Sequence, residues 1–132
     1  KAEWLLNDRQ IVLIAVGSMV KTALEVRSAL AKKGYGCSII NARFVKPIDT
    51  GIIDEALTSH ELIVTMEENE SCGGYGEKVL EYMNENGFKN DFLNISIPDA
   101  YVEHGNVELL KKEIGIDAES IVRRICEALK ER

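Results

Sequence analysis

Residues 61–78, ELIVTMEENESCGGYGEK, restrict the fold more than any other stretch of the chain. The run Glu61-Leu62-Ile63-Val64-Thr65-Met66 has the length and β-branched content of a buried strand. Uninterrupted apolar runs of this kind belong to parallel sheets covered on both faces. Glu67 and Glu68 then leave the sheet at its carboxyl edge. Gly73, Gly74 and Gly76 permit a tight turn with positive φ, after which residues 77–86 can wind as a helix with Val79, Leu80 and Met83 facing inward. Strand, glycine turn and helix in that order make a βα unit, and the carboxyl edge of such a sheet is where open α/β folds keep ligands or partner surfaces.

The remaining segments supply the rest of a sheet. Residues 2–6 form a short strand, Asn7-Asp8-Arg9 a turn, and residues 10–16 the most apolar strand of all. So brief a connection makes these two strands an antiparallel hairpin, because a parallel return needs a crossover of about a dozen residues. Gly17 and Ser18 follow as turn and helix cap, and Met19, Ala23, Val26 and Leu30 recur at helical spacing until Gly34 stops the run. Residues 35–42 are a third strand; Pro47 breaks the chain, and Asp49 caps a helix whose Ile52, Ile53, Ala56 and Leu57 pack inward. Beyond the central unit, Gly87 ends the helix, residues 92–97 give a fifth strand, and Pro98-Asp99 stops it. A loop through Tyr101-Val102-Glu103-His104-Gly105 leads to a short helix over 107–113. Asp117 caps a last helix with Ala118, Ile121, Val122, Ile125 and Leu129 on one stripe. After the opening hairpin the order is β-α-β-α-β-α-β-α, which right-handed crossovers turn into a parallel sheet with helices on both faces and one antiparallel edge strand.

Composition bounds the function. A length of 132 residues, 45% hydrophobic, suits a single domain over 1–132 with one core. The balance of 16 basic and 22 acidic residues gives a net charge of -6 with no basic block, which argues against a nucleic-acid partner. No apolar run approaches the roughly 20 residues of a membrane span, so the expected location is cytoplasmic. Cys37, Cys72 and Cys126 are isolated thiols, with neither disulfide-framework nor zinc spacing. The chain begins at Lys1, without an initiator Met, and reads as a piece of something longer.

Several residues have the chemistry for a site. Gly74-Tyr75-Gly76 follows a strand, but Val79 stands where the dinucleotide fingerprint has its third glycine, and Gly17-Ser18-Met19 lacks the lysine of a P-loop. Either helix N-terminus could attract a phosphate; the plainer reading is that the glycines shape βα turns. Glu67 and Glu68 could do acid–base work if buried together. Structurally, such an acid can cap the next helix's N–H groups or pair with Arg43 at the end of the third strand. His60, ending a helix, reads as a partner of the C-terminal dipole, and His104 lies in a loop of functional composition with Glu103. No nucleophile–base pairing and no metal cluster emerges from the residue order.

Four segments carry a family resemblance: Ala15-Val16-Gly17-Ser18-Met19-Val20; Asn41-Ala42-Arg43-Phe44-Val45-Lys46-Pro47-Ile48-Asp49; Glu67-Glu68-Asn69 with Gly73-Gly74-Tyr75-Gly76; and Ile97-Pro98-Asp99-Ala100-Tyr101-Val102-Glu103-His104-Gly105. Together they resemble the C-terminal domain of the 1-deoxy-D-xylulose-5-phosphate synthases, within the transketolase superfamily. The resemblance implies a three-layer α/β/α domain with a five-stranded mixed sheet of order 1-3-2-4-5, strand 1 antiparallel. It also implies that thiamine diphosphate and magnesium are held in two preceding domains whose motifs have no counterpart here. The chain then holds no catalytic, cofactor-binding or metal residue. Its expected partners are the pyrimidine-binding domain and the second subunit of a homodimer. Arg43, Glu67, Glu68, Gly73, Gly74, Gly76, Glu103 and His104 are the structural or interface candidates. A subunit of a split transketolase and a free-standing phosphometabolite-binding module are the alternatives.

Overall fold

The computed structural model describes residues 3–6, 10–42, 48–70, 74–98 and 117–130. In chain order its elements are β1 (Glu3–Leu6), β2 (Ile11–Val16), α1 (Met19–Lys32), β3 (Cys37–Ala42), α2 (Thr50–Ser59), β4 (Leu62–Glu70), α3 (Tyr75–Glu85), β5 (Asp91–Pro98) and α4 (Ala118–Lys130). β3, β2, β4 and β5 lie side by side as parallel neighbours, and β1 runs antiparallel along the outer edge of β3. The first two strands therefore do not form the hairpin that their short connection suggests: β3 lies between them. β2 is fully buried from Ile11 to Ala15 and has both edges taken, by β3 and β4, so β1 finds its open edge one strand further out.

Alternation along each strand divides the core in two. Ile11, Leu13, Ala15, Leu62, Val64 and Met66 point to the face covered by α1 and α4, where they meet Met19, Ala23, Val26, Leu30, Ile121 and Ile125. Val12, Ile14 and Ile63 point to the other face, under Ile52, Ile53, Ala56 and Leu57 of α2 and Val79 and Met83 of α3. Tyr82 Oη, donating to Asp54 Oδ1 at 2.6 Å, ties α3 to α2 on the outer surface.

Helix ends show which local rules hold. Gly34 and Gly87 have φ of 90° and 74°, and each sits just past a helix. The amides of Gly34 and Tyr35 bond back to Ala31 and Leu30, and that of Phe88 to Met83, closing orphan carbonyls as a left-handed C-terminal residue allows. Asp49 caps α2 as its position implies, Oδ1 accepting from the Ile52 amide at 3.3 Å. Ser18 occupies the N-cap of α1 but makes no side-chain cap bond, because its backbone is already helical (φ -66°, ψ -12°) and a capping side chain works from an extended one. Ile121 N donates to the Asp117 carbonyl, while Asp117 Oδ1 is buried with no partner among the described residues.

One side-chain assignment changes, and His60, bonded to the carboxyl end of α2 as expected, gains a second role. Leu80 is 40% exposed, because the buried stripe of α3 runs Tyr75, Gly76, Val79, Met83 and a helix turns about 100° between neighbours. His60 is buried at the amino edge, Nδ1 3.0 Å from the Ala56 carbonyl and Nε2 2.8 Å from Ser38 Oγ, so it works as an internal cross-link. Asn90 Nδ2 completes that edge by donating to the carbonyls of Leu57 and His60. The helix expected over 107–113 lies outside the described residues.

Candidate functional site at the carboxyl edge

β4 continues past its apolar run, and its alternation aims Glu67 at the face under α3. The side chain is 3% exposed. Oε1 accepts from the Tyr75 amide at 2.8 Å and Oε2 from the Gly76 amide at 2.7 Å, so one carboxylate clasps two of the N–H groups that open α3. Such groups have no partner inside the helix, and short bonds to a charged acceptor are stronger than neutral ones. Negative charge here also meets the positive end of the helix dipole. Of the two structural roles open to Glu67 from its strand-end position, the structure displays the capping one.

Neither Gly74 nor Gly76 takes positive φ here, and Gly76 serves close approach instead. Gly74 is extended at φ -70° and buried, and Gly76 lies inside the helix. A Cβ on Gly76 would stand 2.5 Å from Asn94 Oδ1 and 2.8 Å from Glu67 Oε2. Asn94 comes from β5, directly opposite Thr65 of β4, and its Oδ1 accepts from Thr65 Oγ1 at 2.9 Å. Thr65 and Asn94 thus form a polar floor on which the first turn of α3 rests. Tyr75, 2% exposed, packs into the α2–α3 core, and its phenol is raised well above its ordinary value by burial, then by the charges of Asp49 and Glu67.

Of the sequence candidates, the structure brings Glu67, Gly74 and Gly76 together. Glu68 lies within β4 beside Glu67. Arg43, Gly73, Glu103 and His104, and with them the Arg43–carboxylate pairing, lie outside the described residues. Sequence reasoning missed Thr65, Tyr75 and Asn94. The only signal for Thr65 was a polar residue within an apolar strand, and Asn94 becomes relevant only once the β4–β5 register is known.

Chemically the cluster is closed. The anion that the α3 N-terminus would attract is already supplied by Glu67, so this turn does not fit a phosphate or a diphosphate. Among the described residues no group of three or more His, Cys, Asp and Glu side chains could hold a metal ion. No helix among them is long and apolar enough to cross a membrane. Away from this edge, an open groove of about 520 Å³ runs between α1 and α4, lined by Ala29, Lys33, Ala118, Glu119, Val122, Arg123 and Cys126.

Residues 1–121 match the family described as "Transketolase, C-terminal domain". The 1-deoxy-D-xylulose-5-phosphate synthase of Lachnoclostridium phytofermentans is 47% identical over 96% of the chain, and that of Clostridium acetobutylicum 41% identical over 95%. In both cases the chain spans 20% of the relative's length. Among solved structures, a split gene transketolase, described as an inactive beta4 tetramer, superposes with a TM-score of 0.85 at 24% identity, covering 98% of this chain and 42% of that one. That likeness speaks for the fold.

Proposed function

This chain belongs to the transketolase C-terminal domain family, and we propose that it is the C-terminal, non-catalytic domain of a 1-deoxy-D-xylulose-5-phosphate synthase. The observation that carries this is the 47% identity over 96% of the chain to a synthase of which it spans 20%. In this reading residues 1–132 are one domain of a longer cytoplasmic polypeptide. The whole enzyme condenses pyruvate with glyceraldehyde 3-phosphate, releasing carbon dioxide and forming 1-deoxy-D-xylulose 5-phosphate for isoprenoid, thiamine and pyridoxal synthesis. Thiamine diphosphate and magnesium supply the carbanion chemistry from the preceding domains. The five-stranded mixed sheet, β1 included, is read as the family's arrangement.

The domain's task is to pack against the pyrimidine-binding domain and support the homodimer, with the carboxyl edge as its contact surface. Strand direction supports that choice. Glu3 pairs with Asn41 near the end of β3, so β1 starts at the same edge where Glu67 clasps α3, and a preceding domain would be tethered there. Glu67, Gly74 and Gly76 hold this edge from inside, while Arg43, Glu68, Gly73, Glu103 and His104 are assigned to its contacts.

A split transketolase subunit is the second reading, with which the shared fold of the split gene transketolase is consistent. A free-standing phosphometabolite module is disfavoured by the carboxylate already seated at the α3 turn. The deciding experiment assays the full polypeptide for pyruvate- and triose phosphate-dependent product formation with thiamine diphosphate and magnesium, beside the 132-residue chain alone. Activity in the first and none in the second is expected. Turnover by the short chain alone, or transketolase activity requiring a separate partner chain, overturns the proposal.

A further inference from the structure

The polar floor beneath α3 interrupts the apolar cluster that α2 and α3 cover on this face of the sheet. Thr65 is fully buried between Ile63 and Glu67 on the α3-facing side of β4. It spends its hydroxyl on Asn94 Oδ1. That oxygen stands where a side chain on Gly76 would begin, and Glu67 Oε2 approaches the same point from the strand side. Gly76 is therefore seated between two side-chain oxygens, one of which bonds its amide.

From this arrangement we infer that Asn94 is a positioning residue for the carboxyl edge. Anchored by Thr65, its carboxamide fixes how deeply the first turn of α3 settles onto β4 and β5. That depth holds the Tyr75 and Gly76 amides at bonding distance from Glu67. Without the carboxamide, α3 can slide, the clasp loosens, and the β4–α3 turn is no longer presented in one geometry. Asn94 acts through Gly76 and Glu67 and touches no reacting group. Its consequence for the whole enzyme rests on the carboxyl edge being the contact surface proposed above; its effect on the clasp does not.

The test separates those two levels. Asn94→Ala and, as a gentler change, Thr65→Val are introduced into the full polypeptide. Amide hydrogen exchange is followed at Tyr75 and Gly76, together with dimer dissociation and the separate kcat and KM values. Exchange at these two amides should accelerate about tenfold or more, with the α1 and α4 amides unchanged, since local opening frees only the groups it breaks. Faster exchange with weaker dimerisation or lower kcat supports both the positioning role and the interface. Faster exchange with unchanged assembly and kinetics keeps the positioning role and removes the interface reading. Unchanged exchange at Tyr75 and Gly76 in both variants, or uniform acceleration across the chain, overturns the inference.

Discussion

The turns from β2 to α1 and from β4 to α3 leave neighbouring strands at the same edge of the sheet, and each contains glycine before a helix. One is left open and the other is sealed. At the first, Gly17 takes φ of 59° with nothing among the described residues within 4 Å of where a Cβ would stand, and Ser18 makes no capping bond. At the second, Glu67 reaches across from the strand to bond two amides, and Gly76 is pressed against Asn94. The same residue type thus answers two different needs. Gly17 supplies a backbone conformation that side chains resist, and Gly76 supplies space. The sealed turn takes its cap from a residue eight and nine positions away, where rules based on the adjacent residue do not look.

The comparison breaks first at Glu67. Replacing it with Ala leaves two buried amides without an acceptor, each costing about 1–3 kcal/mol. Loss of about 3 kcal/mol of folding stability is therefore expected, read as a lower urea midpoint. Glu67→Gln should fall between Ala and the native residue, because one of its two terminal atoms can still accept. Added acetate or formate should recover part of the Ala variant's loss, by standing in for the missing carboxylate. Equal midpoints for native and Glu67→Ala would mean that the clasp contributes nothing and that the two turns do not differ in energy.

Next come the two glycines. Gly76→Ala forces a methyl group into occupied space and should cost about 2 kcal/mol, in the range of core overpacking. Gly17→Ala meets no atoms of the described residues and should cost about 1 kcal/mol, through its backbone conformation. A second substitution sharpens the distinction. Asn94→Ala opens room beside Gly76, so its effect and that of Gly76→Ala should add to less than their sum, whereas Asn94→Ala and Gly17→Ala should be additive. Strict additivity in both pairs would contradict the seating of Gly76 against Asn94.

Tyr75 distinguishes the sealed turn by pH. Burial, then Asp49 and Glu67, raise its phenol above the ordinary value. The unfolded chain therefore gives up this proton first, at about pH 10. The stability Tyr75 contributes is complete below that pH and declines above it. In Tyr75→Phe the urea midpoint should fall less between about pH 8 and pH 11 than in the native chain. At neutral pH the change should stay within about 1 kcal/mol, the usual size of a single net hydrogen bond. An alkaline decline equally steep in both proteins would remove the titration of Tyr75 from the account.

What could be read from the sequence follows the same division. Elements set by local periodicity were legible: the stripe Met19, Ala23, Val26 and Leu30 is buried as its spacing requires, and so are Ile52, Ile53, Ala56 and Leu57 of α2. A capping role for Glu67 was also within reach, since an acid at a strand's end precedes a helix N-terminus. Asn94 was not, because its place beside Gly76 depends on the pairing of Thr65 with Asn94 across two strands. Leu80 was misplaced because an apolar residue beside Val79 looks like part of the stripe until the helix phase is fixed by Tyr75 and Met83. His60 was legible in part: its bond to the Ala56 carbonyl at the end of α2 follows from its place in the chain, but only β3, arriving with Ser38, makes that helix-end histidine a buried cross-link.

The smallest effect belongs to Ser18. A serine before a helix is the usual N-cap, and losing such a cap costs about 0.5–2 kcal/mol. Here the side chain is exposed and bonds no helix amide, so Ser18→Ala should change stability by less than about 0.5 kcal/mol, as for an ordinary surface substitution. Ser18→Asp is the sharper variant. It places a negative charge at the start of α1, whose first turn contains no acidic residue, and should stabilise by about 0.3–1 kcal/mol through the helix dipole, an increment that salt reduces. Together they ask whether α1 is uncapped or only differently capped. A cap-sized loss in Ser18→Ala would show that the serine does bond its helix in solution, and the contrast between the open turn and the sealed one would collapse.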